Sequence, residues 1–345
     1  MHREIEVEDA LKLSSAGFVD VRSPLEYELD TIPGAVNIPL FDNEQRQRIG
    51  TTYAADGPHE ARKLGLRFIA PRLPEYIEQL AAVKGEPLVI FCWRGGERSK
   101  TVAGLLDMMH MPCLRLKGGY KAYRQYVNKV LHESKLPHQF VVLEGLTGTG
   151  KTEIIQELGR KGYPILDLEA LANHRGSVFG AVGLGEQPSQ KKFESLIWAS
   201  IRNFDESNNF LIVEGESKKI GRLYLPDAVY NGMQEGYRIL VYDTVSRRVN
   251  RLIKEYVNTG ENNLSQVGEA LSYLTRRLGK EKVRQLRELL AAKDLEQFGR
   301  ILIEDYYDVL YGRNFNAPEQ YDLLVDAGNL QGAVKQIEEF IQHLF

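Results

Sequence analysis

The segment Phe140-Val-Val-Leu-Glu-Gly-Leu-Thr-Gly-Thr-Gly-Lys-Thr152 decides the fold of the C-terminal part of the chain. An apolar run enters a glycine-rich turn of the pattern G-x-x-x-x-G-K-T, and a helical pattern follows. In this strand–loop–helix context the glycines allow backbone N–H groups to wrap a phosphate at the helix N-terminus. Lys151 supplies charge to the outer phosphates, and the Thr152 hydroxyl is placed to bind Mg²⁺. The predicted phosphate-binding residues are Gly145, Thr147, Gly148, Thr149, Gly150, Lys151 and Thr152.

Apolar runs around this loop indicate a parallel sheet. They occupy residues 140–143, 164–168, 210–213, 238–242 and 323–325, with helical patterns between them. Near-continuous apolar strands separated by helices are typical of a parallel sheet that is covered on both faces. Residues 245–311 carry helical patterns only, so they predict a helical insertion in this domain.

The N-terminal part also alternates strands and helices. Apolar runs lie at residues 18–21, 35–38, 87–92 and 113–116, and helical patterns lie between them. This alternation predicts an α/β domain over residues 1–130. Residues 131–138, with the sequence LHESKLPH, are polar and contain a proline. We interpret them as a linker to a second domain over residues 139–345.

The composition is that of a globular protein, with 345 residues, 43% hydrophobic and 26% charged. No apolar run reaches membrane-spanning length, and the N-terminus lacks a signal-peptide pattern, so we expect no membrane association. Two cysteines suit a reducing cytoplasm. The net charge of −3 excludes a global basic field, so RNA would have to bind to a local patch.

A second motif follows the apolar run at residues 87–91. Cys92-Trp-Arg-Gly-Gly-Glu-Arg98-Ser99 places a thiol at the end of a strand and before a helix. Free N–H groups and the helix dipole favour the thiolate, and Arg94 and Arg98 add positive charge. We therefore predict a reactive Cys92 with Arg94 and Arg98 as catalytic partners, against the alternative of a buried structural cysteine. Cys113 lacks this context, and we interpret it as a core residue.

Further polar residues fall where parallel strands end, the edge at which open α/β sheets bind ligands. Glu214 and Glu216 follow one strand and would orient Mg²⁺ or a water, or simply form a polar strand end. The other predicted ligand-contacting residues are Asp167, Glu169, His174, Arg175 and Ser177.

Two groups of basic residues have alternative interpretations. Arg247, Arg248 and Arg251 would close over phosphate like a lid, or form a solvated helix face. The second group suits the phosphate backbone of tRNA, with a solvated face again as the alternative. Its members are Arg276, Arg277, Lys280, Lys282, Arg284 and Arg287. Lys218, Lys219 and Arg222 form a smaller cluster.

Three further segments carry a resemblance to a known family. Asp20-Val-Arg-Ser-Pro-Leu-Glu-Tyr, Ile32-Pro-Gly-Ala-Val-Asn-Ile-Pro and Leu116-Lys-Gly-Gly-Tyr, together with the cysteine loop, resemble the rhodanese family in order and content. Joined to the phosphate-binding loop (P-loop), this combination resembles the tRNA 2-selenouridine synthase family over nearly the whole chain.

The resemblance implies an enzyme that acts on the wobble uridine of tRNA. Selenium from selenophosphate replaces the sulfur of 2-thiouridine, and geranyl diphosphate supplies a geranyl group to that sulfur. Cys92 would then carry selenium, and a selenophosphate-producing protein would be a transient partner. The motif leaves open whether the P-loop holds geranyl diphosphate or a nucleotide. No resident cofactor follows from the sequence beyond Mg²⁺ as a candidate.

Two other functions remain open at this point. Cys-x-x-Gly-x-x-Arg-Ser is also similar to the loop of cysteine-dependent phosphatases, which allows a phosphatase or sulfurtransferase fused to a small-molecule kinase. The other alternative is a non-enzymatic, nucleotide-switched binding module.

Overall fold

The computed structural model describes residues 3–133, 135–204, 209–256, 261–312 and 317–345. The chain divides into two compact units. One holds the chain up to Val130 together with Ser189–Ala199, and the other holds Leu131–Pro188 and Ser200–Phe345. Among the described residues, no helix is long and apolar enough to cross a membrane.

The first unit is built on a five-stranded parallel sheet. Its elements in chain order are β1 (Arg3–Ile5), α1 (Val7–Leu11), β2 (Gly17–Asp20), α2 (Pro24–Leu29), β3 (Val36–Asn37), α3 (Asn43–Asp56), α4 (Pro58–Ile69), α5 (Leu73–Ala81), β4 (Leu88–Phe91), α6 (Glu97–Met108), β5 (Cys113–Leu116) and α7 (Gly119–Asn128). The strand order is β1-β5-β4-β2-β3. All four residues of β4 are buried, as expected of a central strand covered on both faces. This strand delivers Cys92 to the carboxyl edge of the sheet.

The second unit contains another five-stranded parallel sheet. Its elements are β6 (Gln139–Glu144), α8 (Lys151–Arg160), β7 (Ile165–Leu166), α9 (Leu168–Ala172), α10 (Gln190–Arg202), β8 (Phe210–Glu214), β9 (Lys219–Ile220), β10 (Leu223–Tyr224), α11 (Asp227–Glu235), β11 (Tyr237–Tyr242), α12 (Val245–Tyr256), α13 (Glu261–Ala291), α14 (Leu295–Ile301), α15 (Asp308–Tyr311), β12 (Leu323–Asp326) and α16 (Leu330–Leu344). The order is β12-β11-β6-β8-β7, and β9 and β10 form a separate antiparallel pair. Helix α10 begins in the segment that belongs to the first unit.

The helical insertion has its own hydrophobic core. Helices α12 to α15 span residues 245–311, and they bury apolar side chains that include Leu271, Leu274 and Leu286. Gly279 has φ +82° and divides α13 into two helical parts. The structure thus confirms the predicted α/β class, with two parallel sheets and a helical insertion in the second unit.

Two elements were not predicted from the sequence. Strand β1 lies at the sheet edge and reads Arg-Glu-Ile, which lacks the apolar run used to find the other strands. The β9–β10 pair turns at Gly221, and each strand has only two residues. Short edge strands carry little periodic signal because they bury few side chains.

Candidate functional site

The loop after β6 has the backbone that a phosphate site needs. Gly145 has φ +153°, and a Cβ there would lie 2.2 Å from the Val241 carbonyl oxygen. Gly150 has φ +93° and precedes the first residue of α8, Lys151. Only glycine fits the first position without displacing the backbone of β11. The sequence therefore places free N–H groups at the start of α8, where anions bind.

Lys151 folds back over this loop. Its Nζ donates to the carbonyl oxygens of Gly145 at 2.8 Å and Leu146 at 3.3 Å. The Thr149 hydroxyl donates to the Leu146 carbonyl oxygen at 2.9 Å, which closes the turn. These bonds hold the ammonium group at the loop, where it can meet a phosphate.

A cleft of about 660 Å³ opens beside the loop. The cleft brings the P-loop together with five predicted ligand residues, which are Glu169, Arg175, Ser177, Glu214 and Glu216. Asp167 and His174 do not line it. Asp167 instead accepts from the Ala170 N–H at 2.9 Å and caps α9. His174 is buried, and burial lowers its pKa.

Three carboxylates meet at the cleft. Glu169, Glu214 and Glu216 each offer an oxygen within 4.8 Å of the other two. Burial raises the pKa of Glu169 to about 10, and the charges of Glu214 and Glu216 add to this shift. Burial likewise raises the pKa of Glu214 to about 8, with Asp167 and Glu216 contributing and Lys151 opposing. Such crowding of carboxylates marks a candidate functional site.

Arg248 and Arg251 support the P-loop from α12. The Arg248 Nε donates to the Thr147 carbonyl oxygen at 2.9 Å, and its guanidinium forms a bidentate pair with Asp308 of α15. Arg251 donates to the Gly148 carbonyl oxygen at 3.3 Å and pairs with Glu153 at 3.2 Å. Arg248 is only 2% exposed, so the alternative of a solvated face is wrong for this residue.

The cysteine loop of the first unit is held by backbone contacts. Cys92 is buried, and its carbonyl oxygen accepts from the Tyr120 N–H at 2.9 Å. A Cβ on Gly119 would lie 2.2 Å from that same oxygen, so the Gly118–Gly119 turn has to carry glycine there. Among the described residues, the N–H groups of residues 93–96 make no hydrogen bond. No protein acceptor in the described ranges would therefore compete with an anion for these N–H groups.

Side chains around Cys92 complete a polar site. The Ser99 hydroxyl lies 3.3 Å from the Cys92 Sγ. Arg98 forms a bidentate pair with Glu26, at 2.6 Å and 3.2 Å, which fixes its guanidinium. Burial alone would lower the pKa of Arg98, but the pair with Glu26 outweighs it and raises the pKa. Arg94 is exposed. Burial raises the pKa of Cys113 to about 11, so this thiol stays protonated at neutral pH.

Sequence reasoning did not single out the buried polar residues that pack against the cysteine loop. Arg22 is 1% exposed, pairs with Asp20 at 2.6 Å, and places its guanidinium 3.9 Å from the centroid of the Tyr120 ring. Tyr120 donates in turn to Asp30 at 2.5 Å. The Asp-Val-Arg and Gly-Gly-Tyr segments contain three of these residues, but their contacts join segments about 100 residues apart in the sequence.

The basic patch is exposed on α13. Arg276, Arg277, Lys280, Arg284 and Arg287 are exposed and Lys282 is half-buried. Lys282 pairs with Asp305 at 2.8 Å, and Arg284 pairs with Glu281 at 2.5 Å. Within the described ranges, the other four have no ion pair and are free for a phosphate backbone.

Fold and site together define a two-domain α/β protein, with a cysteine loop of rhodanese type in one unit and a P-loop cleft in the other. A family model of the rhodanese-like domain matches residues 5–126. A model described as the tRNA 2-selenouridine synthase AAA domain matches residues 138–343.

Similar proteins extend these matches over most of the chain. The tRNA 2-selenouridine synthase of Bordetella petrii is 32% identical over 361 residues, covering 95% of this chain and 94% of that protein. The one from Cupriavidus pinatubonensis is 34% identical, covering 87% and 89%. That of Nitrosomonas eutropha is 36% identical over 256 residues, covering 72% of this chain and 65% of that protein. The chain belongs to the tRNA 2-selenouridine synthase family.

Proposed function

We propose that this protein converts the 2-thiouridine of tRNA to 2-selenouridine through a geranylated intermediate. The observation that carries the proposal is the presence of two anion sites, one with a nucleophile and one without. The cysteine loop combines Cys92 with free N–H groups and Arg98. The P-loop cleft offers Lys151 and glycine N–H groups, as a diphosphate requires.

The P-loop is assigned to geranyl diphosphate. The sulfur of 2-thiouridine attacks C1 of the geranyl group, and the C1–O bond breaks. The electron pair leaves with diphosphate, and the base loses its N3 proton. Lys151 and the N–H groups at the start of α8 stabilise the negative charge of this leaving group. A nucleotide would use the same contacts, and direct competition between ATP and geranyl diphosphate separates the two ligands.

Cys92 is assigned to the selenium donor, selenophosphate. If the thiolate attacked selenium, the S–Se bond would form and the P–Se bond would break with its electron pair left on phosphorus. The leaving group would then be phosphite, unless an external oxidant took up the two electrons. Attack on phosphorus needs no oxidant. The S–P bond forms, the P–Se bond breaks, and its electron pair leaves with selenide. Selenide then adds to C2 of the base and expels the geranyl thiolate, while water hydrolyses the phosphocysteine.

The geometry at Cys92 favours the second route over the carrier role that the resemblance implies. Ser99 lies at hydrogen-bond distance from the Cys92 sulfur, and Glu26 holds Arg98 by two bonds. Both features suit transfer of a tetrahedral phosphoryl group, because a fixed guanidinium binds its oxygens in a forked geometry. The negative charge that develops on those oxygens is met by the N–H groups of residues 93–96.

The function is tested by mass spectrometry of nucleosides from tRNA incubated with the protein, selenophosphate and geranyl diphosphate. The wild type should form 2-selenouridine. Cys92→Ser should stop at S-geranyl-2-thiouridine, and Lys151→Ala should form little of either. Cys113→Ser is the matched control and should retain activity, because its thiol stays protonated. Normal formation of 2-selenouridine by Cys92→Ser would refute the assignment.

The route at Cys92 is tested with thiophosphate in place of selenophosphate. Attack on phosphorus adds a phosphoryl group to the cysteine, whereas attack on sulfur adds a sulfur atom, and the two adducts differ clearly in mass. Selenium and a phosphoryl group have nearly the same mass, which is why the sulfur analogue is the better probe. A persulfide on Cys92 without a phosphoryl adduct would refute attack on phosphorus.

A further inference from the structure

The glutamates at the floor of the P-loop cleft form an unusual buried group. Glu214 is the last residue of β8 and is 1% exposed. Within the part of the chain that the structure describes, neither of its carboxylate oxygens makes a hydrogen bond of normal geometry, although the Thr152 hydroxyl lies near enough to lower the pKa of Glu214. A buried carboxylate without a partner is costly, so such a group indicates that something else binds there.

The charges around Glu214 do not balance. Glu169 and Glu216 each bring an oxygen within 4.8 Å of it, and Lys151 is the cation that acts on all three. The nearby Arg175 is engaged by Glu255, at 2.9 Å. Burial raises the pKa of all three carboxyl groups, and the charges of the neighbouring carboxylates add to the shift of Glu169 and Glu214, so three carboxylates cannot all stay charged beside one ammonium group. A divalent cation would displace the protons and supply the positive charge that the site lacks.

The backbone at Gly176 also leaves space beside the oxygens of the carboxylates. Gly176 has φ +62°, and a Cβ there would lie 2.9 Å from both oxygens of Glu216 and 3.1 Å from Glu169. A side chain at this position would push into the carboxylate group. The glycine therefore keeps the space beside these oxygens open.

We propose that Glu169, Glu214 and Glu216 form a divalent-cation site for Mg²⁺ or Mn²⁺ that fills without any ligand on the P-loop. Carboxylate oxygens are the donors that these hard cations prefer. In the usual P-loop arrangement the threonine of the loop and the phosphates of the ligand supply much of the coordination. Here three protein carboxylates are already assembled, so the protein alone can retain the ion.

The test is Mn²⁺ binding, measured by electron paramagnetic resonance of free Mn²⁺ during titration of the full chain. The solution contains no tRNA, nucleotide or diphosphate. The wild type should bind one Mn²⁺ tightly, and Mg²⁺ should displace it. Glu214→Gln, which keeps the shape of the side chain, should weaken binding by more than about tenfold. Gly176→Ala should also weaken it, because the added methyl group displaces Glu216.

Glu153→Gln is the matched control, since Glu153 lines the same cleft but is exposed and pairs with Arg251. It should bind Mn²⁺ like the wild type. A second readout is thermal stability, which Mn²⁺ should raise for the wild type and not for Glu214→Gln. Equal binding by the wild type and Glu214→Gln, or binding only after diphosphate is added, would overturn the proposal. Because no substrate is present, the result is independent of the proposed reaction.

Discussion

Replacing Arg248 tests whether the helical insertion holds the P-loop in shape. Arg248 belongs to α12, its Nε donates to the Thr147 carbonyl oxygen at 2.9 Å, and its two terminal nitrogens donate to Asp308 at 2.9 Å and 2.5 Å. The loop backbone also packs against it, because a Cβ on Gly148 would lie 2.8 Å from the Arg248 carbonyl oxygen. One side chain thus joins the P-loop to α15.

The expected cost of Arg248→Met follows from these contacts. Methionine retains the apolar stem of the side chain, so the loss is confined to the three hydrogen bonds. Breaking a fully buried ion pair costs about 3–5 kcal/mol. The Asp308 side chain is 27% exposed, however, and water can solvate it after the change. Hydrogen bonds to charged groups contribute about 1.5–3 kcal/mol, so we expect the free energy of unfolding to fall by about 2–3 kcal/mol.

Two variants separate the support of the loop from the ion pair. Asp308→Asn weakens the pair and leaves the bond from Arg248 to Thr147, so its affinity for inorganic diphosphate should remain near that of the wild type. Arg248→Met removes both interactions, and its affinity for diphosphate should fall. Arg247→Met is the exposed control. Arg247 pairs with Asp243, which keeps a second cation in Arg251, and with the exposed Asp326 at 3.6 Å. We therefore expect the free energy of unfolding to fall by about 1 kcal/mol or less.

Urea unfolding gives the stabilities, and calorimetry with inorganic diphosphate gives the affinities. A stability loss below about 0.5 kcal/mol for Arg248→Met would show that these hydrogen bonds contribute little, the level expected of ordinary surface substitutions. A large loss with unchanged diphosphate affinity would also refute the reasoning, because Arg248 would then stabilise the insertion without shaping the loop.

Three other predictions concern the P-loop, the basic patch and Cys113. Lys151→Ala should weaken diphosphate binding by about 1.5–3 kcal/mol, the scale of a charge-assisted hydrogen bond, and unchanged calorimetry would exclude the residue from the site. Changing Arg276, Arg277 and Arg287 together to Gln should make tRNA binding less dependent on salt. The slope of log affinity against log salt concentration should fall by about one unit for each tRNA phosphate that these arginines no longer neutralise. An unchanged slope would identify a solvated face. The pKa of Cys113, raised to about 11, keeps its thiolate scarce at pH 8. In a variant without the other cysteine, alkylation should therefore accelerate steadily from pH 8 to pH 10, and a plateau near the ordinary thiol pKa of about 8.5 would contradict the shift.

Local sequence patterns were sufficient to predict most of the fold. The P-loop was predictable because its glycines, its lysine and the flanking strand and helix lie within thirteen consecutive residues. The parallel sheets were predictable because buried strands such as β4 are apolar throughout. Neither inference needs a contact between distant segments.

The site was less predictable where its geometry depends on distant partners. Glu169 and Glu214 could be placed at the same edge because β7 and β8 are adjacent parallel strands, and parallel strands end together. The same rule selected Asp167, which caps α9 and also raises the pKa of Glu214 through its charge. The burial of Arg248 depends on Asp308, which lies 60 residues away. A helical charge pattern alone cannot distinguish such a residue from a solvated one.

Lys151 links the proposed cation site to phosphate binding in the P-loop cleft. This ammonium group lowers the pKa of each of the three buried carboxyl groups and so favours their charged form, and it is also the cation placed for the outer phosphates. One positive charge cannot satisfy both groups, and a diphosphate entering the cleft adds further negative charge beside Glu214. A cation held by the carboxylates releases Lys151 for the phosphates and removes the repulsion between the two anions. Diphosphate affinity should therefore rise with Mn²⁺ in the wild type, while Glu214→Gln, which removes one of the carboxylate charges, should bind diphosphate with less dependence on Mn²⁺.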